Sequence, residues 1–204
     1  MSTTKLVKSS GRPRSFDIDI AVEKAQLLFH EYGYDGVSVA DITKELEINP
    51  PSFYSAFGSK AELYERVLKR YTLFDGIPLN TLLDEHKSIA ECLSEILEAA
   101  VYFYAKNAKR RGCLVIEGTR CQDSAARKIA NDLQQIALDK IHDFIAQRAE
   151  ILADQLTDFL CIVMTGLSAK ARHGYSIDRL LISAQIASLA ITEQILENSL
   201  PSTI

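Results

Sequence analysis

Two adjacent prolines, Pro50 and Pro51, constrain what this chain can fold into. A proline inside a helix removes a hydrogen bond and clashes with the turn before it. It also keeps the preceding residue out of the helical region. At the first positions of a helix these costs fall away, because the first N–H groups have no partner within the helix. Asn49 is a good cap for a helix that starts at 50, so an earlier helix must stop around Leu46–Ile48. Ser38 caps that earlier helix, with Asp41 three residues on as a variant capping box. Val39, Ile42, Thr43 and Leu46 give it one apolar face. Gly58 ends the second helix, Ser59 caps a third, and Glu62 stands where a second box needs it. Two short helices joined by three or four residues make a helix-turn-helix, although the same spacing fits an ordinary αα corner.

The remaining chain reads as helix throughout. It has 204 residues, 47% of them hydrophobic, which is ample for one large or two small cores. Glycine and proline are few and long β-branched runs are absent. Helices are expected over 17–33, 59–74, 88–106, 124–148, 154–173 and 177–198, with a short apolar piece at 113–121. In the first of these, Ile18, Val22, Ala25, Phe29 and Tyr32 form the stripe. Asp75-Gly76-Ile77-Pro78 breaks the pattern. The expected fold is all-α: a basic arm over 1–16, a three-helix helix-turn-helix domain over 17–75, and a helical regulatory and dimerisation bundle over 80–200. There is no run of 18 apolar residues, so no membrane partner is expected. The polar, basic start MSTTKLVKSS lacks the apolar core of a secretory signal. Cys92, Cys113, Cys121 and Cys161 are widely spaced, as free thiols in a cytoplasmic protein would be.

Net charge is −4, which argues against nucleic acid until it is resolved along the chain. Residues 1–14 hold Lys5, Lys8, Arg12 and Arg14 and no acid. Such an arm finds phosphate or a minor groove whatever the overall balance. A helix-turn-helix puts the start of its second helix at base edges. Here those residues are Pro50, Pro51, Ser52 and Ser55. None can make a bidentate base contact, so readout leans on DNA shape and half-site spacing. Lys60 stands at a helix N-terminus, where a cation opposes the helix dipole and a nearby phosphate would relieve the conflict.

This region resembles the DNA-binding domain of the TetR family of transcriptional regulators. The resemblance rests on Gly33-Tyr34-Asp35-Gly36-Val37-Ser38, Asp41-Ile42, and Ser52-Phe53-Tyr54-Ser55-Ala56-Phe57-Gly58-Ser59-Lys60 with Leu63. It implies that Tyr54, Ser38 and Lys60 hold the DNA backbone. The chain departs from the family pattern at Ala56, where many relatives carry histidine or another phosphate-binding side chain.

The bundle offers fewer signals. Tyr102, Phe103 and Tyr104 cluster, and Tyr102, Phe103, Cys113 and Phe144 are candidates to line an effector pocket. Arg110, Arg111 and Arg120 lie near Cys113 and Cys121 in sequence, which leaves reactive, redox-sensing thiols open beside inert buried ones. The last helix is apolar nearly all round, so it must be covered on more than one side. A second copy is the expected cover, through Phe159, Val163, Leu167, Leu180, Ala184, Ala187, Ile191 and Ile195 in a four-helix interface. The resemblance implies the same dimer.

The combined expectation is a repressor that binds a palindromic double-stranded operator as a homodimer and is released by an unidentified small molecule. No cofactor is expected, and neither a metal spacing nor a nucleophile beside a base supports catalysis. An all-helical protein–protein adaptor that never binds DNA is the alternative. A helical enzyme built around His142, Glu117 and the cysteines is a weaker third reading.

Overall fold

A computed structural model describes residues 17–199. Four helices form the head: α1 (Ile18–Tyr32), α2 (Val39–Glu45), α3 (Pro50–Phe57) and α4 (Lys60–Phe74). A one-turn helix α5 (Leu79–Leu82), which the sequence pattern did not signal, leads to α6 (Ile89–Ala105). Then come α7 (Leu114–Gly118), α8 (Ser124–Ala149), α9 (Ala153–Arg172) and α10 (Ile177–Ser199). A single 3-10 turn at Glu150–Leu152 folds α9 back along α8, so that Gln134 meets Cys161 and His142 meets Asp154 across the hairpin.

Local chemistry sets most of the helix ends. Asp17 accepts from the N–H groups of Asp19 and Ile20 at 2.9 and 3.3 Å. Reciprocal capping boxes form at Ser38–Asp41 and at Ser88–Glu91. At Ser59 only the forward half forms, the N–H of Glu62 donating to Ser59 Oγ at 3.1 Å. In the α1 stripe, Val22, Ala25 and Phe29 are buried, whereas Ile18 and Tyr32 at the two ends are exposed. Those ends run past the helices that cover the middle.

Two cores result. The body core joins α6, the second half of α8, α9 and α10 through Leu93, Ile96, Leu97, Ile145, Leu160 and Leu180. The head core holds Ala25, Phe29, Ile42, Phe53, Phe57, Leu63, Val67 and Leu68. It also takes in Leu114 and Val115 from α7, Cys121 from the connection that follows, and Ala126 and Ala130 from the first turns of α8. α8 is therefore shared, with Ala126 and Ala130 in one core and Ile141, Phe144 and Ile145 in the other.

The seam between them is close-packed. At Gly118 in α7, an added Cβ would lie 2.6 Å from Tyr64 Oη and 2.7 Å from the Ala130 Cβ. Tyr64 Oη donates to the Leu114 carbonyl at 3.3 Å. Arg172 of α9 donates to the carbonyls of His30 and Arg111 at 3.1 and 3.3 Å and pairs with Glu117 at 3.7 Å. The His30 ring is buried, with Nε2 3.3 Å from the Gly112 carbonyl. A carbonyl can only accept, so Nε2 carries the proton and Nδ1, which has no partner among the described residues, is bare. Burial pulls the His30 pKa down from 6.5 to about 4, with Arg172 and Arg110 pushing the same way.

Two outcomes follow from the seam. Gly118→Ala gains helix propensity but drives a methyl into Tyr64 and Ala130. We expect a net loss of about 1–2 kcal/mol, read as a lower thermal midpoint. Between pH 6.5 and 4 the unfolded chain binds a proton at residue 30 that the folded chain refuses. Stability is therefore whole above pH 6.5 and falls with pH through that window, by up to about 3 kcal/mol. His30→Gln, which keeps an N–H donor but cannot titrate, should flatten that part of a denaturant-melt series run against pH.

Candidate nucleic-acid interface

α3 presents one anchored and one free face. Phe53 and Phe57 are buried, and their rings meet at 5.5 Å. Pro50, Pro51, Ser52, Tyr54 and Ser55 are all exposed. Asn49 Oδ1 accepts from the Ser52 N–H at 2.8 Å, so that side chain is spent on capping. Between α2 and α3, Glu47 adopts a φ of 55°, a left-handed value that turns the chain sharply at some cost for a residue other than glycine. Tyr54 stands edge-on to Phe53 at 5.3 Å with half its surface free, which aims its hydroxyl away from the core.

The other expected contacts fall in different places. Ser38 is exposed beside this face, but its hydroxyl already accepts from the Asp41 N–H at 3.1 Å and donates to the Asp41 carboxylate. Those bonds hold the Asp41 carboxyl below its usual range. Lys60 is only half-open. Its Nζ lies 3.9 Å from the centre of the Tyr34 ring, with Asp35 and Asp123 nearby. Burial lowers the Lys60 pKa, and those carboxylates work against the shift. The same cluster ties the head to the start of α8. Tyr34 donates to Asp123 at 3.2 Å, and the Gln122 N–H donates to Asp35 at 2.9 Å. Arg12 and Arg14 lie outside the described residues.

A cavity of about 460 Å³ lies between α4, the 76–81 segment, α6, α7, α8 and α9. Of the four candidate pocket residues, only Cys113 lines it. Tyr102 is exposed on the far side of α6, Phe103 sits under the Lys106 ammonium at 4.1 Å, and Phe144 packs in the body core below Arg148. Successive helical residues point about 100° apart, so one of three adjacent aromatics can face inward, and here it is Tyr104. Tyr71, Leu133, Ile141 and Cys161 complete the wall, none of them picked out as pocket residues in the sequence.

The thiols are not activated. Burial raises the Cys113 pKa, and at Cys121 burial with Asp35 beside it pushes the value up to about 11, ahead of the opposing Lys60 and Arg127. Two of the three arginines near these cysteines in sequence are spent elsewhere: Arg111 on the carbonyls of Ala171 and Tyr175, Arg110 on Asp75. Among the described residues no group of three or more His, Cys, Asp or Glu side chains is placed to hold a metal ion.

The expected subunit face needs correcting on α10. Leu180, Ala184, Ala187 and Ile191 are buried within the chain, as is Leu167 of α9. They belong to the body core, where α10 packs along α6, and cannot meet a second molecule. Val163 and Ile195 are half-buried and Phe159 is exposed. The outward apolar face instead carries Ile162 on α9 with Ile182, Ile186, Leu189 and Leu196 on α10, each more than half exposed. Gly166, four residues on from Ile162 along α9, has open space where a side chain would stand. By length and composition alone α10 would suffice to cross a membrane; its apolar excess divides between these two faces.

A family profile described as bacterial regulatory proteins of the tetR family matches residues 22–67, which span α2, α3 and most of α1 and α4. The HTH-type transcriptional repressor BdcR of Escherichia coli strain K12 is 46% identical over 191 residues, covering 94% of this chain and 97% of BdcR. The repressor ComR of the same strain is 31% identical, covering 88% and 91%. Among solved structures, a cysteine-substituted TetR family regulator, CifR, in complex with a 26-bp operator DNA superposes with a TM-score of 0.80. It is 30% identical and covers 88% of this chain and 99% of that one. Similarity of this extent, along both the head and the body, shows that the chain belongs to the TetR family of transcriptional regulators.

Proposed function

We propose that this protein is a transcriptional repressor that grips a palindromic operator as a homodimer and releases it when a small molecule enters the body. The free face of α3 carries the reading. Its five exposed residues stand on a helix pinned by two buried phenylalanines. That is the arrangement a helix needs to enter a major groove without losing its own anchorage. Relatives named as repressors and a neighbour seen on operator DNA support it.

Tyr54, Ser52 and Ser55 then meet phosphates and sugar, and Pro50 and Pro51 offer apolar surface to thymine methyl groups. Arg12 and Arg14 add phosphate or minor-groove contacts from the arm. Lys60 and Ser38 stand at the flanks. Ser38 can still accept a bond to its hydroxyl, and Lys60 has to leave the Tyr34 ring to reach a phosphate. The exposed faces of α9 and α10 supply the subunit contact, with Gly166 allowing close approach, so that two recognition helices meet two half-sites. The protein works in the cytoplasm, where its DNA is, without enzymatic activity of its own.

Tyr54→Phe keeps the ring and removes the hydroxyl. It should weaken operator binding about three- to tenfold in fluorescence anisotropy at fixed salt, with no change in melting temperature. Affinity equal to wild type would remove Tyr54 from the interface. Leu189→Glu places a charge on the outward face. Sedimentation should show monomers, and operator binding should fall far more steeply than for Tyr54→Phe. A dimer that persists in Leu189→Glu would move the interface elsewhere.

A further inference from the structure

The cavity has a chemical bias that deepens the proposed function and rests on its small-molecule arm. Most of its wall is apolar, from Leu133, Ile136, Ala137, Ile141 and Met164. Among the described residues no carboxylate lines it, and the one charged residue that does, Lys140, is exposed and bonded to Asn80 at 3.2 Å, which places it at the mouth. An organic cation would therefore find no counter-charge, and a carboxylate carried inward would leave its only cation behind. Either would lose its hydration without repayment.

The inner wall is different. Tyr71 and Tyr104 are almost wholly buried, and both line the cavity together with Cys113. The thiol beside them is a weak acceptor, which serves two phenol donors poorly. A carbonyl oxygen has two lone pairs and is a much better match for two O–H donors. All three side chains line the cavity, so an oxygen can reach them.

We infer that the effector is an uncharged, mainly apolar molecule with a carbonyl oxygen, and that this oxygen accepts hydrogen bonds from Tyr71 and Tyr104 at the inner wall. The body of the molecule fills the space between Leu133, Ile141 and Met164. Binding is non-covalent: no bond to sulfur forms, and Cys113 stays a neutral thiol. Tyr71 is on α4, the helix that begins at the DNA-facing end of the head, so the ligand touches the head itself. Both the cavity and the hydroxyl pair are within the range of size and polarity that small-molecule sites use.

Calorimetry on the full-length protein without DNA tests this directly with three probes of similar shape: methyl hexyl ketone, octanoate and octylammonium. The ketone should bind, octanoate at least tenfold more weakly, and octylammonium not measurably. Tyr104→Phe and Tyr71→Phe should each lower ketone affinity about five- to tenfold, as loss of one buried hydrogen bond does. Ala137→Leu, which fills the space, should abolish it. Mass spectrometry after incubation should show no adduct. Equal or tighter binding of either charged probe, ketone affinity unchanged in both phenylalanine variants, no binding of any probe by folded protein, or a covalent adduct would each overturn the inference. A separate anisotropy titration of the operator complex with ketone separates the two claims. Ketone binding without operator release leaves the site standing and sinks the effector arm of the proposed function.

Discussion

The close approach of α7 to α4 and α8 makes one body of what would otherwise be two. It is possible because residue 118 has no side chain: Tyr64 and Ala130 occupy the space a Cβ would need. Around that dry contact runs a polar rim. Arg172 reaches two carbonyls and a carboxylate, His30 meets Gly112, and Tyr34 and Asp35 meet residues 122 and 123. The apolar centre supplies the adhesion, while the rim bonds fix direction, since each requires a particular angle between partners. A seam made this way does not deform continuously. It either keeps its register or moves to another.

α4 lies across that seam. Its first turn stands beside the recognition helix, its middle packs under α7, and its last turns form one wall of the cavity. In the proposed mechanism, a rigid helix with one end at each site would carry displacement without needing a chain of intermediaries. What travels is bounded by the ligand's preference for one arrangement over the other. α8 repeats the design from the other side, since its first turns belong to the head core and its later turns to the body core.

The sequence made local decisions visible and left tertiary ones hidden. Caps at Ser38, Asn49 and Ser59 were legible because each acts on the N–H group three residues away. The free face of α3 was legible too, since Phe53 and Phe57 so plainly want burial. α10 was not. With Leu180, Leu181, Ile182, Ile186 and Leu189 in two and a half turns, periodicity cannot say which side meets α6 and which meets solvent. The cavity escaped for a related reason. Its wall is drawn from six stretches of chain, and among three consecutive aromatics only packing decides that Tyr104 looks inward. The recruitment of residues 114–130 to the head core is likewise a long-range event with no local signature. Lys60 had a sound electrostatic reason to seek phosphate, yet an aromatic ring and two carboxylates within reach give it an internal alternative.

Pro50 and Pro51 do more than start a helix. The N-terminus of a recognition helix is ordinarily also an anion site, because its first N–H groups are unpaired and point outward. Here two of those donors do not exist, and a third, at Ser52, is taken by Asn49. The tip of α3 can therefore offer DNA little main-chain attraction and meets it with hydrocarbon instead. In the proposed operator complex, association at that tip would release water from apolar surface more than counterions from phosphate. Its thermodynamic mark is a negative heat-capacity change rather than a steep dependence on salt. In the proposed complex, operator recognition by this head would be divided in kind: ionic at the flanks, through side chains that reach phosphate, and hydrophobic where the helix enters the groove.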